Sequence, residues 1–302
     1  MAETGVRQTQ SFLRDLFHQL RIRPKNKLGQ NFLIDLNLLD VLFTTGELTP
    51  EDLVLEVGAG TGSLTAKLAN VAGAVLSVEI DPSFFQLAKE TLGYRTHLRL
   101  INADILKNKN TLNPEVMDSL RSAWTSGKFA RVKLVANLPY VVATPVIANL
   151  LLCDVPLERM VVTVQWEMAE RLLAEPDSRE FGALSVLVQS LADVELVRKL
   201  PPTAFWPRPE VESAIVCIRP RAEKQAKVSD PLKFRNFLRD LYAHRRKNLR
   251  GGLAACPARA RVAGAKEQID AQLAEMGIDG NARAETLDVE THLRLFAKFG
   301  EE

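Results

Sequence analysis

From residue 53 onward, short apolar runs alternate with stretches of helical spacing. Leu53–Val57, Ala74–Val78, Leu98–Ile101 and Lys133–Ala136 are bounded by Gly, Asp and Asn, and they predict short buried strands. Behind the first strand comes Gly58-Ala-Gly60-Thr-Gly62 and then SLTAKLANVAG, which reads as helix. Strand, glycine turn and helix open a doubly wound α/β unit. Further on, Phe234, Phe237, Leu238 and Leu241 recur at i, i+3, i+4 and i+7, the spacing of an amphipathic helix. Continued to Gly251, that helix would place Arg235, Arg239, Arg246 and Arg250 within about 60° of one another on a neighbouring face. The 20 residues from Leu134 to Cys153 carry no charge, but Asn137, Pro139, Tyr140, Pro145 and Asn149 argue against a membrane span.

The ends of the strands carry the candidate chemistry. Glycines let a backbone approach a ligand closely and turn into a helix whose N–H groups face it. Glu79 ends the second strand, 17 residues after Gly62, where an acid can accept both hydroxyls of a ribose. Asp104 follows the third strand, placed to accept a proton from an exocyclic amine of adenine, with Ile80 and Ile105 as apolar walls. NAD and S-adenosylmethionine both present an adenosine to such a site. A GxGxG loop rather than GxGxxG leans away from a pyrophosphate cradle.

The fourth strand runs into Asn137-Leu138-Pro139-Tyr140. An adenine amino group is a poor nucleophile because its lone pair is delocalised into the ring. The Asn137 side-chain carbonyl and the main-chain carbonyl of Leu138 or Pro139 can accept its two N–H groups, which favours a pyramidal nitrogen facing an electrophilic methyl. Proline holds the turn, and Tyr140 offers a face on which an extruded base stacks, worth about 1–3 kcal/mol. An amide at this position points to catalysis by positioning and electrostatics, with the proton lost late to water.

Composition fits this reading. The chain has 302 residues, 46% hydrophobic and 25% charged, the profile of a globular protein of one large or two unequal domains. Its three cysteines are too few for a disulfide framework or zinc ribbon, so no metal and a cytoplasmic setting are expected. The N-terminal stretch has no apolar core of a secretory signal. Net charge is only +2, yet Arg198–Arg261 hold 16 Lys/Arg against 5 Asp/Glu. Such separation suits a basic surface on an anionic partner, and Arg235, Arg239, Arg245, Arg246, Lys247 and Arg250 are the candidate phosphate contacts.

Taken together, the blocks KNKLGQNFLID (25–35), LEVGAGTGSLT (55–65), VEID (78–81), NADIL (102–106), NLPYVVATP (137–145), QWEMAERL (165–172), PPTAFWPRPEVESAIV (201–216) and RRKNLRGGL (245–253) resemble the small-subunit ribosomal RNA adenine N6,N6-dimethyltransferase family. Erythromycin-resistance rRNA methyltransferases are its relatives. The resemblance implies a Rossmann-like, class I S-adenosylmethionine-dependent methyltransferase domain over residues 1–220 and a small all-helical RNA-docking domain over 221–302. It implies that Asn31, Leu33, Gly58, Gly60, Glu79, Ile80, Asp104, Ile105 and Asn137 bind the donor S-adenosylmethionine. Catalysis would fall to Asn137, Leu138, Pro139, Tyr140 and Phe205, with Phe205 covering the target adenine opposite Tyr140. The implied reaction is dimethylation of two adjacent adenosines near the 3′ end of small-subunit (16S) rRNA by a monomer acting on a pre-30S ribosomal particle. A large-subunit methyltransferase of the resistance type, or an assembly or transcription factor that keeps the fold without turnover, are the alternatives. Departures from the family pattern are GAG for GPG in the loop, Val141 for Asn, and residues 107–131, expected as a polar surface insertion.

Overall fold

The computed structural model describes residues 10–257 and 264–300; the first nine residues, 258–263 at the end of the basic stretch, and the last two residues lie outside it. Seven strands form the central sheet: β1 (Asp52–Val57), β2 (Ala74–Glu79), β3 (Leu98–Asn102), β4 (Arg131–Asn137), β5 (Leu157–Gln165), β6 (Ala192–Leu200) and β7 (Ser213–Pro220). Their order is β3-β2-β1-β4-β5-β7-β6. Strands β1 to β5 pair in parallel, and β7 lies antiparallel to β5. Every residue of β1 is buried, as expected for a central strand covered on both faces. The four strands read from the sequence are all present, each within two residues of its expected limits.

Because β1 to β4 run parallel, all four strands release their next residues at the same sheet edge, where open α/β sheets bind ligands. Residues 107–130 depart from the expectation of a polar surface stretch: they lie in the crossover between β3 and β4. A helix, Pro114–Thr125, is capped by Asn113 and buries Val116, Met117 and Leu120. Its apolar stripe is one side of an otherwise polar helix, so average polarity concealed it. Helix Gln10–Gln19 buries Leu13 and Phe17; the Phe17 ring lies 5.4 Å from Phe32, 5.2 Å from Phe84 and 5.3 Å from Trp206.

Contacts divide the chain into two units. The first holds the described residues to Ala169 together with Glu195–Arg219; the second holds Glu170–Val194 and the residues from Pro220 onward. Segment 170–194, which the sequence placed in the first domain, thus belongs by contact to the second. That unit is built from helices Ala183–Gln189, Pro231–Ala243, Leu249–Ala255, Ala265–Glu275 and Val289–Phe299, around Phe234, Phe237, Leu241 and Phe296. His292 is fully buried there, stacked on Tyr242 and hydrogen-bonded to the Asp288 carbonyl, a core histidine.

Beneath the glycine loop, Glu56 in β1 is fully buried. The Thr65 and Ser77 hydroxyls both donate to its Oε2 at 2.6 Å, while Oε1 has no partner among the described residues. Burial pushes its pKa from 4.5 up to about 7 against those hydrogen bonds, helped by the nearby charge of Glu79. The folded protein therefore holds this proton more tightly than the unfolded chain, and its contribution to stability is lost as pH rises through that window. Glu56→Gln should flatten the fall in unfolding free energy between about pH 5 and about pH 8. Urea denaturation across that range checks this; equal pH dependence in both proteins would contradict it.

Candidate active site

A single cleft of about 270 Å³ lies at the carboxyl ends of β1 to β4. Asn31, Leu33, Gly58, Gly60, Glu79, Ile80, Asp104, Ile105 and Asn137 all line it, as do Leu138, Pro139 and Tyr140; Phe205 does not. The cleft's floor is the glycine loop, whose Gly58 and Gly60 have φ of +91° and +55°, a left-handed conformation that favours glycine. A Cβ at Gly60 would also come within 3.0 Å of the Phe32 ring.

Glu79 is the electrostatic anchor. It is 5% exposed, and its two oxygens accept one N–H each at 2.9 Å, from Gly60 and Asp81. Burial raises its pKa, and the backbone N–H groups oppose that rise. A carboxylate offers about four acceptor positions, so the group still suits a pair of vicinal hydroxyls. Exposed Ile80 and buried Ile105 flank the cleft, and Asp104 is held by the Leu106 N–H at 2.9 Å. These acceptors and apolar walls fit an adenosine moiety.

A strap formed by residues 25–33 crosses the opening. Lys25 Nζ pairs with Asp81 Oδ2 at 2.9 Å, and Gln30 donates to the same oxygen at 3.3 Å. Burial would raise the pKa of Asp81, but Lys25, the Ser83 N–H and Gln30 outweigh it and hold the carboxyl below its usual range. The Asn31 main-chain carbonyl accepts a hydrogen bond of 2.9 Å from Asn137 Nδ2. The next residues, Phe32 and Leu33, pair antiparallel with Trp206 and Phe205. Lys25, Gln30 and Phe32 carried no role in the sequence reading. Their block was recognisable, but the partners that pin it lie about fifty residues or more away along the chain.

Asn137 ends β4, and its amide is held at both ends, since the Thr163 hydroxyl donates to Oδ1. Tyr140 begins helix Tyr140–Leu151, and its hydroxyl shares a hydrogen bond of 2.6 Å with Ser213 Oγ. Thr163 and Ser213 were also missed; a lone hydroxyl in an apolar strand carries no local signal of a partner. Phe205 stands differently from the expected base-covering ring. It is 2% exposed, packed with Leu33, Leu39, Leu42 and Ala204, and meets Tyr140 edge-on at 6.5 Å and 71°. In this arrangement the two rings leave no parallel slot between them; pairing with Leu33 draws Phe205 into the core.

The expected arginine row is not present. Helix Pro231–Ala243 stops at His244, and a new helix starts at Leu249, where Asn248 caps it by accepting from the Gly251 N–H. Arg239, Arg245 and Arg250 pair with Asp240, Glu285 and Asp270. Arg235 is half-buried, while Arg246 and Lys247 are exposed in the break between helices. Among the described residues, no His, Cys, Asp or Glu cluster could hold a metal ion, and no helix is long and apolar enough to cross a membrane.

A 3-2-1-4-5-7-6 sheet with a glycine loop and an acid at the end of β2 defines a class I S-adenosylmethionine-dependent methyltransferase. Within that class, the chain belongs to the ribosomal RNA adenine dimethylase family, whose model matches residues 21–299. It is 37% identical over 286 residues to the ribosomal RNA small subunit methyltransferase A of Pediococcus pentosaceus, covering 93% of this chain and 92% of that one. Among solved structures it resembles a dimethyladenosine transferase from Plasmodium falciparum (TM-score 0.69, 25% identity, 87% of this chain and 95% of that one). It also resembles the 23S rRNA methyltransferase ErmE (TM-score 0.59, 27% identity, 89% and 99%).

Replacing Glu79 by Ala should weaken S-adenosylmethionine binding by about tenfold or more, because a carboxylate accepting two hydroxyls makes strong hydrogen bonds. Calorimetry without RNA reads this directly, and unchanged affinity would remove Glu79 from the donor site.

Proposed function

We infer that this protein dimethylates N6 of two adjacent adenosines near the 3′ end of small-subunit rRNA, on the assembling particle in the cytoplasm, with S-adenosylmethionine as donor. The observation that carries the reading is Asn137-Leu138-Pro139-Tyr140 at the end of β4, opening onto the cleft that Glu79 anchors. The donor supplies an electrophilic methyl on a sulfonium. The chain's part is to receive the base and aim its nitrogen.

Asn137 Oδ1 keeps one lone pair beyond the Thr163 bond and can accept one amino N–H of adenine. For the second, the Pro139 carbonyl is turned along the helix to the Val142 N–H at 3.1 Å, which favours the Leu138 carbonyl. Two acceptors in this relation favour a pyramidal nitrogen with its lone pair directed into the cleft. Neither can take the proton, so it leaves to water after the transfer. The base stacks on Tyr140, and Phe205 acts from behind as the ring that fixes the strap and Tyr140's edge.

Arg246 and Lys247 support an RNA partner: both are exposed, and neither is in an ion pair among the described residues. With three other arginines paired to acids, these two are the stronger phosphate contacts.

The wild-type protein should transfer label from S-adenosylmethionine to unmethylated small-subunit particles, giving N6,N6-dimethyladenosine by nucleoside mass spectrometry. Asn137→Ala should lower the rate by about 100-fold or more, the usual loss on removing a group that positions transition-state charge. Equal transfer by both proteins would contradict the site, and transfer only to naked large-subunit RNA would favour the resistance-type activity. Separately, Arg246→Ala with Lys247→Ala should flatten the dependence of RNA affinity on salt by roughly 0.7–0.9 units of slope per lost contact. An unchanged slope would exclude them as phosphate ligands.

A further inference from the structure

Two buried hydroxyls stand behind the residues that receive the base. Thr163 and Ser213 are both fully buried, on β5 and β7, and neither lines the cleft. Thr163 is the register partner of Asn137 across the β4–β5 pair, so its hydroxyl reaches the amide directly. Ser213 begins β7 opposite Gln165, at the end of β5, and meets the Tyr140 hydroxyl at 2.6 Å.

The orientation of the Asn137 amide follows from its neighbours. The Asn31 main-chain carbonyl can only accept, so the end facing it at 2.9 Å must be the NH2. Hence the carbonyl faces Thr163, whose hydroxyl must donate. An amide turned end for end would set oxygen against oxygen at Asn31. With the amide fixed in this sense, the carbonyl is the end that offers a spare lone pair to an adenine amino group. At Tyr140 the ring is half-buried and anchored at its far end, which sets the plane on which a base stacks.

We propose that Thr163 and Ser213 are positioning residues for methyl transfer, their hydroxyls holding the Asn137 amide and the Tyr140 ring in the orientation that receives the target adenine. The proposal rests on the rRNA adenine methyltransferase reading above. It divides the work between two sides of the site: the strap holds the amide's nitrogen end, and the sheet holds its oxygen end and the phenol.

The test uses the full-length protein, labelled S-adenosylmethionine and unmethylated small-subunit particles. Thr163→Val keeps the side-chain shape and removes the hydroxyl; it should lower kcat by about tenfold, the worth of one buried hydrogen bond expressed in the transition state. Donor affinity, measured by calorimetry without RNA, should stay within about twofold. Thr163→Ser should restore most of the rate, and Thr163→Ala serves as the truncation should Thr163→Val not fold. Ser213→Ala and Tyr140→Phe should lose rate by similar factors, and the double variant no more than either, because both remove the same bond. A hydroxyl-free variant at 163 with wild-type kcat, a Thr163→Ser variant as slow as the truncation, or additive losses at 140 and 213 would each overturn the proposal. So would a parallel loss of donor affinity and rate, which marks general damage to the site. Wild-type protein that methylates no particle would instead bring down the functional reading itself, and the proposal with it.

Discussion

The amide of Asn137 is the point at which the two halves of the site meet. Its NH2 donates to the Asn31 carbonyl on the strap, and its oxygen accepts from Thr163 in the sheet. An adenine amino group needs acceptors that localise its lone pair, and an acceptor works only if it cannot swing away. The strap lines the cleft and the sheet carries Tyr140's anchor, so in the proposed function seating this one amide also sets the spacing between donor and target. The parallel sheet makes this possible by delivering Glu79, Asp104 and Asn137 to the same edge from three successive strands.

Aromatic packing holds the strap where the amide needs it. Phe32 lies against the glycine loop, its ring 3.0 Å from where a Cβ at Gly60 would stand, and Phe17 touches Phe32, Phe84 and Trp206 together. One ring from the N-terminal helix therefore ties the strap to the helix after Glu79 and to the segment that carries Phe205. Edge-to-face and tilted contacts of this kind each add about 0.5–1.5 kcal/mol beyond the area they bury. Polar pinning at Asp81 acts on the same segment from its other end, through Lys25 and Gln30.

Much of the sheet was legible in the sequence because its signals are local. A buried strand reads as an apolar run, and the residues at or just past its end face the cleft; Glu79, Asp104 and Asn137 line it as that pattern expects. What failed to show depended on distant partners. The arginine row assumed an unbroken helix, but Asn248 caps a second one, and Asp270 and Glu285, which neutralise Arg250 and Arg245, lie 20 and 40 residues away. Segment 107–131 looked like an insertion because a helix with one apolar stripe is polar on average. From the residues alone Phe205 reads as a core aromatic in a Pro-rich connection, and its pairing with Leu33 and burial agree with that; the base-covering role came only from the family resemblance. Thr163 was silent because a hydroxyl in a strand acquires meaning only from the residue beside it in the next strand.

The most direct measurement is a structure of the protein engaged on a small-subunit particle with a non-reactive analogue of S-adenosylmethionine. In it the target amino nitrogen should lie within about 3 Å of both Asn137 Oδ1 and the Leu138 carbonyl, with the adenine stacked on Tyr140 and Thr163 still donating to the amide. A target nitrogen facing a carboxylate, or an Asn137 amide turned end for end with its NH2 toward the base, would contradict it.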